Sequence, residues 1–159
     1  MNLFVLDENP IKAARFVCDK HVVKMVTETA QILSTVLHTY KIELPGLYRS
    51  THKHHPVVLW AGTTISNFKW TLIHGLELGN EYTRRYHRQH KSSLVLDLIR
   101  RSYNWSWGIP LGGLTPFSQC LPEEMRGPDA VQAYRLYYHS KSFANWSYSE
   151  VPHWWRGNV

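Results

Sequence analysis

Between Cys18 and Leu33 the apolar positions recur at the spacing of one helical face. Wound at about 100° per residue, Cys18, Val22, Met25, Val26, Thr29, Ala30, Ile32 and Leu33 share one arc. Lys20, His21, Lys24, Thr27, Glu28 and Gln31 share the other. This predicts a helix that opens near Pro10, whose fixed φ suits a first turn, and runs to about His38. Ahead of it, residues 2–6 read as a short strand or buried extended segment. A second helical region is predicted from Pro56 to Lys91, with Gly75 or Gly79 as bends, and a shorter one from Ser92 to Arg101. A last helix spans Asp129 to about Phe143. Residues 40–55 and 103–128 read as loops, the second rich in Gly, Pro and aromatics. The pattern gives an all-α fold: one helical bundle over residues 1–159, with an extended N-terminal segment and long aromatic loops.

Composition narrows the partner. The chain has 18 Lys and Arg against 12 acidic residues, a net charge of +6, which favours an anionic surface such as a nucleic-acid backbone. Seven Trp, nine Tyr and five Phe exceed what a core of this size needs, and those interleaved with cations suit base stacking. Two distant Cys make neither a disulfide framework nor a zinc pattern, so a reducing compartment is expected. No window approaches the roughly 20 apolar residues of a membrane span, so the expected setting is cytoplasmic, as a monomer without a membrane partner.

Candidate chemistry is sparse. His21 and Glu28 lie seven residues apart on nearly one line of the first long helix, a separation of roughly 10 Å. Lys24 and Glu28 also read as an ordinary i,i+4 pair on a solvated face. Arg84, Arg85, Arg88 and Lys91 suit either a helix C-terminus or a phosphate-binding edge. The cluster His52, His54, His55 lacks the spacing of a metal site, and neither metal nor cofactor is expected. Cys18 faces the apolar arc, where a thiol is inert. Glu28, flanked by cations, is left as a carboxylate suited to a sugar or base at a nucleic-acid site.

The order of motifs resembles the small phage pyrimidine-dimer DNA glycosylases of the endonuclease V type. An apolar start is followed by Asp19-Lys20-His21 and, seven residues after that His, Glu28. A Pro-led helix ends in a basic patch between Pro56 and Lys91. Then come the turn Pro122-Glu123-Glu124-Met125-Arg126-Gly127, the pair Arg135-Leu136, and the aromatic close Pro152-His153-Trp154-Trp155-Arg156-Gly157. Two positions depart from the family pattern: Leu3 and Thr27 stand where it carries cations. Asn2 is also bulky for a newly freed terminus, so Met1 is expected to be retained.

The resemblance implies a helical protein, phage-encoded and working in the host cytoplasm, that binds double-stranded DNA and flips a damaged or modified nucleotide out of the stack. It implies attack on the sugar C1′ by the terminal amine (Met1 or Asn2), assisted by Glu28 with His21 beside it, then a Schiff base and β-elimination, an AP-lyase step. An α-amine, with a reference pKa near 8, is appreciably neutral at working pH. Nucleic-acid contacts are expected from Lys20, Lys24, Arg84, Arg85, Arg88, Lys91, Arg126, Arg135, His139 and Lys141. A non-catalytic nucleic-acid or nucleotide-binding phage protein, or an unrelated helical enzyme acting on nucleotides, are the competing readings.

Overall fold

The structure, a computed structural model, describes residues 1–158. It contains six α-helices and two 3₁₀ turns, and no strand among the described residues. The expected all-α class is what is found. α1 spans Pro10–Phe16 and α2 Asp19–Thr39; α3 spans Pro56–Thr63 and α4 Ile65–Tyr86; α5 spans Ser93–Ser102 and α6 Ala130–His139.

α2 follows its sequence pattern. All eight residues of the apolar arc are buried, while Lys20, His21, Lys24, Thr27, Glu28 and Gln31 keep some access to solvent. α4 is the central rod, packed against α1 and α2, with α3 and α5 on its flanks. Gly75 lies inside it without interrupting it. The glycine sits where a Cβ would come within 2.6 Å of the Thr29 methyl, so its missing side chain lets α2 and α4 approach.

Two helices expected to be continuous are broken. The first breaks at Val17 and Cys18, both extended. The carbonyls released at the end of α1 find buried donors: Arg85 takes Val17 O at 2.7 Å and Arg15 O at 3.1 Å, and Trp146 Nε1 takes Phe16 O at 3.0 Å. The second breaks at Thr64, whose side chain caps α4 by accepting from Asn67 N–H. Ile65 N–H beyond it donates to Pro110 O at 2.8 Å, so both breaks also draw on partners distant in sequence that local periodicity does not reveal.

α6 lies apart from the α1–α5 stack and holds the chain start. Leu3 to Leu6 are all buried and extended without pairing as a strand. Phe4 makes edge contacts with Tyr134 and Tyr138 of α6, and Arg135 Nε donates to Leu6 O at 2.9 Å. On its other side Phe4 stacks on His21 of α2. The first six residues therefore run between α2 and α6.

Candidate active site

Glu28 lies in the middle of α2 with its side chain 13% exposed. Its Oε2 accepts the backbone N–H of Asn2 at 3.1 Å, and Lys24 Nζ stands 3.2 Å from its Oε1. The lysine is 69% exposed, so the pair adds little stability. What it supplies is a cation beside the carboxylate. The terminal amine of Met1 is one residue before the Asn2 contact, a Cα step of about 3.8 Å.

Asn2 is anchored by both side-chain atoms. Its Nδ2 donates to Cys120 O at 3.0 Å, and its Oδ1 lies 2.8 Å from the Tyr134 hydroxyl and accepts Leu3 N–H at 2.8 Å. The same hydroxyl lies 3.0 Å from Ser118 O and accepts Cys120 N–H at 3.1 Å. Burial pushes the Tyr134 phenol well up, which keeps it a donor at neutral pH.

His21 supports this segment. Its ring stacks on Phe4 with centroids 4.4 Å apart, and its Nδ1 lies 2.8 Å from the Tyr138 hydroxyl. Burial first, then the charges of Lys24, Lys141 and Lys20, push His21 down to about 4. Burial holds the Tyr138 phenol protonated, so the bond joins a neutral hydroxyl to a neutral ring. Among the described residues, its hydrogen-bond partner is Tyr138 rather than Glu28.

The expected cations divide into two groups. Lys20, Lys24 and Lys141 converge electrostatically on His21, with Lys20 over the Phe143 ring at 4.5 Å and Lys141 over Tyr137 at 3.9 Å. Lys91, Arg88 and Arg126 are also exposed, the two arginines each tied at Nε to Tyr82 Oη and Leu121 O. Arg85 corrects the expectation. Its side chain is 0% exposed and bonded to Glu81, Asp19 and two carbonyls, so no phosphate can reach it. Arg84 is exposed but paired to Glu81 and, at 3.6 Å, to Glu77. Arg135 and His139 are committed to the scaffold. Arg135 bonds Leu6 O and stands 3.6 Å from Asp7, while His139 donates to Arg135 O and accepts from Arg156 N–H.

His55 is the site residue that sequence reasoning left unassigned. It caps α3, its Nδ1 accepting from Val57 N–H at 3.2 Å. Burial, then the amino terminus and His52, lower its pKa against the opposing pull of Glu28, which links this residue electrostatically to the site. Its sequence signal was a His directly ahead of Pro56, a helix opening. Leu3 and Thr27 carry no charge into the site: Leu3 is buried, and Thr27 Oγ1 lies 3.0 Å from Ser92 Oγ. A carboxylate held against the chain start, with Lys24 beside it, can shuttle a proton to or from a nitrogen or a sugar carbon.

A cavity of about 520 Å³ lies away from Glu28, between Arg15, Phe16, Arg84 and the tail residues Tyr148 to His153. Residues 1–94, which hold Asn2, His21, Lys24, Glu28 and His55, match the family model described as pyrimidine dimer DNA glycosylase. No curated protein and no solved structure matches the chain.

Proposed function

Because this chain belongs to the pyrimidine dimer DNA glycosylase family, we propose that it excises a damaged pyrimidine from double-stranded DNA, using its amino terminus and Glu28. The observation that carries this reading is the 3.1 Å hydrogen bond from Asn2 N–H to the Glu28 carboxylate. It supports a working unit made of the chain start and the acid.

The chemistry follows from that pair. The neutral terminal amine attacks C1′ of the flipped nucleotide, and the C1′–N1 bond breaks with its electrons leaving on the pyrimidine. The amine nitrogen then gives up one proton, which passes to O4′ as the C1′–O4′ bond breaks, and the opened sugar is left as an iminium ion between C1′ and the amine. Glu28, bonded to the residue after the terminal amine, stabilises the cationic carbon and then removes a C2′ proton. The C3′–O bond breaks, the 3′-phosphate leaves, and hydrolysis of the Schiff base returns the amine. Lys20, Lys24 and Lys141 meet the backbone around the lesion. A lesion is the cheapest place to flip a nucleotide, because its stacking is already weakened.

The test is strand cleavage. A labelled duplex bearing one cyclobutane pyrimidine dimer should be cut at the dimer by the native chain and left intact by Glu28→Gln. Salt-sensitive binding without cleavage of that duplex or of an abasic one would favour a binding module instead.

A further inference from the structure

We infer that Tyr134 is a positioning residue for the reaction, holding the chain start against Glu28 through the side chain of Asn2. The inference rests on the proposed use of the amino terminus and assigns the part of the fold that aims it.

An unrestrained chain end explores many conformations, and fixing one residue costs about 1–2 kcal/mol. Here the restraint is built into the interior. Tyr134 is fully buried on α6, and its hydroxyl meets Asn2 Oδ1 at 2.8 Å, Ser118 O at 3.0 Å and Cys120 N at 3.1 Å. Asn2 Nδ2 closes the ring by donating to Cys120 O at 3.0 Å. One phenol proton serves two acceptors, Asn2 Oδ1 and Ser118 O, while the oxygen accepts from Cys120. The hydroxyl thus ties α6, residues 118–120 and the chain start at a single point. The Asn2 N–H that the clamp orients is the one pointing at Glu28. Tyr134 touches neither DNA nor the reacting atoms, so its effect passes through Asn2.

Two variants open the clamp from opposite ends: Tyr134→Phe keeps the ring in the core, and Asn2→Leu keeps a side chain of similar size. The readouts are single-turnover cleavage of the dimer duplex, its binding constant, and the melting temperature. Each single variant should slow the single-turnover step 10-fold or more, with DNA binding changed less than 2-fold. Because both remove the Tyr134–Asn2 bond, the double variant should lose less than the product of the two single losses. Glu28→Gln is measured alongside. If it abolishes cleavage while Tyr134→Phe cleaves at the native rate, the clamp is overturned and the site reading stands. If Glu28→Gln cleaves normally, the site reading itself is lost. Should Tyr134→Phe fail to fold, Asn2→Leu alone decides, and native-rate cleavage by it overturns the inference. Additive losses that track the melting temperature would make the tyrosine structural only.

Discussion

Two carboxylates on one helix meet opposite fates. Asp19, at the start of α2, is 5% exposed, with Oδ1 3.2 Å from buried Arg85 and Oδ2 accepting Ser147 N–H at 2.7 Å. Arg85 spends its other donors on Glu81, Val17 O and Arg15 O. Every partner in that network is fixed by a helix or the tail, so the charges lock α1, α2, α4 and the C-terminal segment together. Glu28, two and a half turns further on, is held by an exposed lysine and the chain start. The same residue chemistry makes scaffold where partners are buried and saturated. It makes a site where one partner is exposed and the other is a chain end that can become a reactant.

The sharpest way to break this contrast is to neutralise each acid's role in turn. Glu28→Gln should lower the single-turnover cleavage rate about 10²- to 10⁴-fold, the range for a positioned acid–base group, with a melting temperature close to native. Arg85→Met should do the reverse. Leaving Asp19 buried without its cation, and Glu81 with Arg84 alone, should cost about 3–5 kcal/mol of stability, read by urea denaturation, while cleavage per folded molecule is retained.

A pH titration of stability comes next. Burial pushes His74, bonded to Pro10 O and stacked on Trp70, down to about 4 from 6.5. The folded state therefore holds this ring neutral while the unfolded chain protonates it below 6.5. Its stability contribution is complete above that value and is lost as pH falls towards 4, at about 1.4 kcal/mol per pH unit. His21, shifted the same way, adds in the same direction. His74→Gln should flatten that slope in chemical denaturation between pH 6.5 and 4. The smallest effects belong to the surface. Lys20→Ala or Lys141→Ala should each reduce the salt dependence of duplex binding by about one phosphate contact, leaving stability unchanged.

How much of this was legible in the sequence depended on whether a signal was local. The buried arc of α2 was plain because a helical face repeats within a few residues. The opening prolines Pro10 and Pro56 and the start of the last helix at Asp129 act within a turn. The breaks at Val17 and Thr64 were not visible, since their stabilising donors and acceptors come from Arg85, Trp146 and Pro110, far along the chain. Arg85 read as a phosphate contact because a cation near a helix end is usually exposed; only the fold reveals the two acids beside it. At the candidate site, helical spacing isolated Glu28, but the approach of Asn2 came from family resemblance, and the clamping role of Tyr134 had no sequence signal at all.

The most direct measurement of the central claim is the covalent map of the reaction. Borohydride added during turnover on a dimer-bearing duplex, followed by proteolysis and mass spectrometry, identifies the amine joined to the sugar. The account predicts an adduct on the first residue of the chain, absent in Glu28→Gln. An adduct on a lysine side chain, or cleavage that proceeds with no trapped intermediate, would contradict it.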